Sequence, residues 1–150
     1  MRIAVASDHA GFEMKEFVKQ QLHDFGHEVV DYGCDSAKPC DYPDTGRPAA
    51  ESVARGRCDR AILICGTGIG MSMVANKVHG VLAALCTSAV QAEYCRKHNN
   101  ANVLVMGAWL TGKLVADDIL ERWLAAEFEG GRHKRRVDKI ERVAERVIVD

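Results

Sequence analysis

Aromatic side chains are scarce in this sequence: Phe, Trp and Tyr make up 6% of 150 residues. Stacking platforms for nucleic-acid bases are therefore not expected. An excess of one charge is also missing. Lys and Arg number 20 against 21 Asp and Glu, a net charge of -1, so the surface does not advertise nucleic acid or membrane as a partner. No apolar run approaches the ~18 residues that a membrane helix needs. Met1-Arg2 is followed by only four apolar residues, too few for a secretory signal. None of the six cysteines (Cys34, Cys40, Cys58, Cys65, Cys86, Cys95) forms a Cys-x-x-Cys pair or a paired metal-ligand spacing. The expectation is a cytoplasmic protein with reduced thiols, most of them small core filler.

What is present is one domain's worth of chain, spanning residues 1–150, in which short apolar runs alternate with longer amphipathic ones. Strands are expected at 2–7, 27–32, 60–65, 80–86 and 102–106. Helices are expected at 11–25, about 47–56, about 68–78, 88–98, 111–127 and about 132–147. In the first helix, Phe12, Phe17, Val18 and Leu22 are spaced for one apolar face, and Gly26 ends it. Residues 33–46 hold Gly33, Pro39, Pro43 and Gly46 and read as a loop. Strand and helix in alternation imply an α/β fold, a five-stranded parallel sheet with helices on both faces. Ligands of such sheets bind beyond the carboxyl ends of the strands. The final helix has no sixth strand after it, and is expected to extend onto a partner chain.

That rule selects the loops to inspect. The third strand leads into Cys65-Gly66-Thr67-Gly68-Ile69-Gly70. Alternate glycines let backbone N–H groups approach a phosphate or a developing oxyanion. The lysine of a Walker motif is missing, and the loop follows the wrong strand for a dinucleotide fingerprint; a tight strand-to-helix turn is the plain alternative. Cys65 sits at the edge of this loop, where a helix start favours thiolate; buried filler is the alternative. Asp8 and His9 follow the first strand. Asp8 could cap the next helix, and His9 adds a titratable donor. His98 and Asn99 end the fourth helix, where a basic residue and an asparagine cap also serve plain stability. Arg132 and Arg136, four apart, share a helix face and could clamp a phosphate; a solvated basic stretch is the alternative.

Taken together these loops resemble the ribose-5-phosphate isomerase B family, which also contains the galactose-6-phosphate and allose-6-phosphate isomerases. The matching pieces are Ser-Asp-His-Ala-Gly at 7–11, Asp-Tyr-Pro at 41–43, Ile-Cys-Gly-Thr-Gly-Ile-Gly at 64–70, Ala-Asn-Lys at 75–77, Arg-Lys-His-Asn at 96–99, Asn-Val-Leu at 102–104 and Glu-Gly-Gly-Arg-His at 129–133. They run in family order from residue 2 to about 140. The resemblance implies a three-layer α/β/α Rossmann-like sandwich. It also implies a homodimer, sometimes paired into a tetramer, with active sites shared between subunits. By the same resemblance Cys65 matches the proton-abstracting base and His98 the residue that opens the furanose ring. Asp8, His9, Tyr42, Thr67 and Asn99 match substrate-binding positions, with Asp8 and Thr67 also expected to move protons. Gly66, Gly68, Ile69 and Gly70 match the anion-holding loop, and Arg132 and Arg136 match phosphate-binding arginines. No metal or nucleotide cofactor is implied. The partner is a small sugar phosphate, with a place in the pentose phosphate pathway of carbohydrate metabolism.

One position departs from the pattern. The family's sugar isomerases commonly carry an arginine where this chain has Trp109, in Met106-Gly107-Ala108-Trp109-Leu110. An indole cannot clamp an anion with two hydrogen bonds, but it can narrow a pocket or stack on a ligand. A subgroup with a glutamate base further along the glycine loop is not matched either, since Met73 and Val74 stand there. The expected activity is aldose–ketose isomerisation, ribose 5-phosphate to ribulose 5-phosphate first, with a tetrose or hexose phosphate as the alternative. A sugar-phosphate-binding protein without catalysis is a second reading. A flavodoxin-like nucleotide-binding domain is a third.

Overall fold

The apolar runs form β1 (Arg2–Ser7), β2 (Glu28–Asp31), β3 (Arg60–Cys65), β4 (Ala83–Leu85) and β5 (Val103–Gly107) in a computed structural model. All pair in parallel, in the order β2-β1-β3-β5-β4. The helices are α1 (Phe12–Asp24), α2 (Tyr42–Ala54), α3 (Ile69–Ala75), α4 (Ala89–Asn99), α5 (Lys113–Ala125) and α6 (Gly131–Ala144). The structure describes residues 1–144, with side chains through Ile140. The end of the expected last helix, residues 145–147, lies outside the described residues.

Strand side chains alternate between two cores. Ile3, Val5, Ile62, Ile64, Leu104 and Met106 face α1, α4 and α5. Ala4, Ala6, Ala61, Leu63, Val103 and Val105 face α2 and α3. Both faces are covered, which is why the strands read as unbroken apolar runs rather than alternating ones. The three-layer α/β/α sandwich expected from the sequence is what forms.

Several boundaries differ from expectation, each for a local reason. The loop after β2 ends at Asp41, because Pro43 sits in the first turn of α2, where a missing N–H costs nothing. Thr45 Oγ1 then donates to Ser7 O at 2.9 Å and ties that turn to the end of β1. β4 is three residues long, not seven: Asn76 and Asn102 side chains take up the backbone of Leu82 and Ala83. α3 stops at Ala75, three residues short of the expectation. In α1 the fully buried face is Met14, Lys15, Val18 and Leu22, while Phe12 and Phe17 are half-buried. Gly26 does end α1, at φ +79°, with its N–H on His23 O and the His27 N–H on Leu22 O.

Lys15 is buried because Asp31, at the end of β2, accepts from its Nζ at 2.5 Å. Burial works against the Asp31 carboxylate. Hydrogen bonds from Lys15, Lys19 and the Gly33 N–H outweigh it and hold its pKa below the ordinary 3.8. A folded-state pKa below the unfolded one adds stability above pH ~4, lost as pH falls through the folded value. The urea midpoint should therefore drop below pH ~4, and drop less in Asp31→Asn than in the native chain. An equal drop in both would remove this pair from the acid response.

Candidate active site

The chain leaves β1 for β2 on one side of the sheet and returns to β3 on the other. That reversal opens a crevice between the carboxyl ends of β1 and β3. The loops flanking it carry Asp8 and His9 on one side and Cys65 on the other. Register brings them level: Ser7 pairs with Ile64, and Cys65 with Gly107. The Asp8 N–H donates to Ile64 O at 3.2 Å, and the Ala108 and Trp109 N–H groups donate to Cys65 O and Gly66 O at 2.9 Å. Three strand ends are thus laced into one rim.

At this rim glycine is required by close approach. A Cβ on Gly11 would stand 2.6 Å from Ile64 O, and one on Gly107 2.6 Å from Thr67 O. Gly68 adopts φ +80°, the left-handed region that begins α3. Its N–H points at Cys65 Sγ, 3.2 Å away, placing positive partial charge at the sulfur. Cys65 is 5% exposed. Sulfur and the Gly68 N–H therefore share one wall, the kind of pairing that anion stabilisation uses. α3 has only seven residues, so the loop's own N–H groups rather than a long helix supply that character.

Two aromatic rings cover the glycine loop. A Cβ on Gly70 would meet the Tyr42 ring at 2.8 Å, and one on Gly66 would lie 2.9 Å from three atoms of the Trp109 six-membered ring. Trp109 thus lays one indole face on Gly66 while remaining 73% exposed. Asp8 is not the helix cap it resembled. The N-cap of α1 is Gly11, and Asp8 Oδ1 accepts its N–H at 2.9 Å. His9 Nδ1 lies 3.3 Å from the Cys40 N and 3.2 Å from its O, a contact from the β2–α2 loop that sequence reasoning missed. Burial, then the neighbouring Cys34, push the Cys40 thiol up to about 11, so it stays protonated and does not compete with Cys65 as a base. Thr67 Oγ1 lies 3.4 Å from the Ile69 N, on the solvent side of the loop. A groove of about 600 Å³ between α2 and α3, lined by Arg47, Glu51, Lys77 and His79 among others, does not include Cys65.

The remaining candidates are elsewhere. α4 begins after β4 at the carboxyl edge and runs back, so His98 and Asn99 end beside the start of β5, at the amino edge. Arg96, two residues before His98, packs near Arg60 at the first residue of β3. Six residues of strand put roughly 17 Å of sheet between the two edges. The cap of α4 is Asn100, at φ 52°, which leaves Asn99 exposed as the last helical residue. Arg132 and Arg136 lie on the first turns of α6, both exposed. With them at this edge are Glu129 and His133, two members of the Glu-Gly-Gly-Arg-His piece that the sequence reading left without a role. Their spacing of four was the available signal.

His98, Glu129 and His133 bring their donor atoms within 4.8 Å of one another, a set of metal-ligand type. Arg132 Nε, 3.3 Å from His133 Nε2, sets a positive charge against any cation there. The candidate residues at the two edges differ in charge. Among Asp8, His9, Tyr42, Cys65 to Gly70 and Trp109 there is no Arg or Lys, whereas the amino edge carries Arg132 and Arg136.

Comparison with known proteins identifies the family. Residues 3–140 match the profile of the Ribose/Galactose Isomerase family. The ribose-5-phosphate isomerase B of Escherichia coli is 41% identical, over 97% of this chain and 97% of its own length. The D-erythrulose-4-phosphate isomerase of Pectobacterium atrosepticum is also 41% identical, over 93% of each. The solved structure of Clostridium thermocellum ribose-5-phosphate isomerase B superposes with a TM-score of 0.95 at 46% identity, covering 97% of this chain and 98% of that one. Among the described residues no helix is long and apolar enough to cross a membrane. With the parallel sheet, the cysteine-glycine rim and a match along nearly its whole length, this chain belongs to the ribose/galactose isomerase family and is an isomerase of the aldose–ketose class.

Proposed function

We propose that this chain interconverts ribose 5-phosphate and ribulose 5-phosphate as a single-domain subunit of a homodimer, each site built from the carboxyl edge of one copy and the amino edge of the other. The observation that carries this reading is the Gly68 N–H directed at Cys65 Sγ in the glycine loop. His98 of the second copy opens the cyclic sugar, with Asp8 assisting. The Cys65 thiolate then removes the proton from C2. The electrons pass to O1, giving an enediolate held by the N–H groups of residues 66–70. Thr67 passes a proton between O1 and O2, and Cys65 returns its proton to C1. His9, Tyr42 and Asn99 hold hydroxyl groups, while Arg132 and Arg136 clamp the phosphate.

A second copy is supported by charge and by surface. None of the carboxyl-edge residues assigned to the site is an arginine or a lysine that could meet a phosphate. Exposed apolar side chains stand on the helices either side of edge strand β4: Ile69 and Met73 on α3, Val90 and Tyr94 on α4. Ile140 of α6 is also half exposed, consistent with that helix reaching across.

A four-carbon substrate is the second reading. Trp109 favours it, because an indole laid on the glycine loop shortens the space a sugar can occupy, and the Pectobacterium relative carries a four-carbon substrate in its name. An isomerase assay across tetrose, pentose and hexose phosphates decides between them. The native chain should show its highest kcat/KM on ribose 5-phosphate. Trp109→Arg should lower its KM about tenfold, the worth of one added charge-assisted hydrogen bond. Highest turnover on the tetrose would replace the first reading with the second. No turnover on any of them, with ligand binding retained, would leave a binding protein.

A further inference from the structure

His98 is held from three directions by groups that the catalytic scheme does not use. Its ring stacks on His133, centroids 4.0 Å and planes 6° apart. The edge of Tyr94, one turn earlier on α4, meets it at 4.8 Å. Glu129 Oε2 lies 3.8 Å from His98 Nε2 and 3.6 Å from His133 Nε2. The Glu129 N–H donates to Lys97 O at 3.0 Å, which pins the turn before α6 to the end of α4. The cluster is therefore assembled by two helices and the turn that joins the second of them to the fold.

The protonation of His133 follows from its neighbours. Arg132 Nε–H donates to His133 Nε2 at 3.3 Å, so that nitrogen offers its lone pair and the ring proton is assigned to Nδ1. Burial, then the nearby His98 and Arg132, hold the His133 pKa below its ordinary 6.5, against the pull of Glu129. His133 is 5% exposed, and its surroundings favour the uncharged ring, a flat plate beneath His98.

We infer that Glu129 and His133 are positioning residues for His98: the His133 ring fixes the plane of the imidazole, and the Glu129 carboxylate balances the charge it takes up as it carries a proton. The inference rests on the reading above, in which His98 opens the sugar ring. Ring opening moves one proton from O1 to O4 while the C1–O4 bond breaks and C1=O1 forms. A carrier between those oxygens is briefly an imidazolium. A carboxylate within 4 Å of it stabilises that form, and a stacked neutral ring does so without adding a competing cation.

The test uses a substrate that has no ring to open. Erythrose 4-phosphate carries its phosphate on O4 and cannot close into a furanose, yet its isomerisation still needs the C2 proton to move. Glu129→Gln should lower kcat/KM on ribose 5-phosphate about thirtyfold, part of the general acid–base contribution, and on erythrose 4-phosphate less than about threefold. Glu129→Asp should recover part of the ribose activity. Equal loss on both substrates, or none on ribose 5-phosphate, would overturn the inference. A native chain silent on both substrates would instead overturn the proposed function. Imidazole 15N spectra at fixed pH then decide the positioning without turnover. Altered His98 and His133 tautomer signals in Glu129→Gln support it, and unchanged signals reject it.

Discussion

Cys65→Ala is expected to lower kcat on the true substrate by about a thousandfold or more, with KM changed only a few-fold. General base catalysis by a positioned side chain is worth about 10²–10⁴ in rate, and no other group on the glycine loop can replace it. Thr67 is not a base at neutral pH, Met73 and Val74 occupy the positions further along, and the Cys40 thiol is held protonated. The fold should survive the change. Cys65 is a small member of the core between the sheet and α2–α3, and removing one sulfur atom there costs on the order of 1 kcal/mol. Steady-state kinetics with a thermal melt separate the two effects. Turnover within tenfold of the native chain would remove the sulfur from the chemistry. Iodoacetamide labelling adds a check, since fast alkylation of Cys65 that ligand blocks accompanies a reactive site and not a filler cysteine.

The fold was legible because both sheet faces are buried, so that each strand announces itself as an unbroken apolar run. Where that signal fails, so did the reading. β4 is an edge strand, and its apolar letters extend past its pairing. Leu82 continues the run, but its N–H goes to the Asn102 side chain. The start of α2 was hidden by Pro43, which reads as a breaker in a loop and as a starter in a first turn, a distinction made by the Thr45 contact with β1. The buried Lys15 was invisible because its partner Asp31 lies sixteen residues away. At the site, the loops at strand ends were readable from topology alone. The spacing of His98, Glu129 and His133 was not, since it depends on how the turn before α6 lies across the end of α4. Nor did order along the chain show that Cys65 and His98 belong to opposite edges. That separation follows only from the direction in which α4 runs.

It also supplies the sharpest test of shared sites. Cys65→Ala and His98→Asn chains should each be nearly inactive alone and should regain activity when mixed. Roughly 17 Å of sheet parts the two residues within one chain, so a site using both needs one edge from each of two copies. In a two-fold dimer each copy contributes both edges, once to each site. After subunit exchange in equal amounts, half of the dimers pair one chain of each kind. In such a dimer one site joins native Cys65 to native His98, and the other lacks both. About a quarter of native activity should therefore return, one intact site in every four. Were each site complete within one chain, every chain in the mixture would lack one of the two groups, and mixing would restore nothing. The measurement needs only an activity assay before and after exchange in mild denaturant, with each variant incubated alone as its control. Recovery near a quarter would also fix two copies as the working unit of the site, whether or not pairs of dimers associate further.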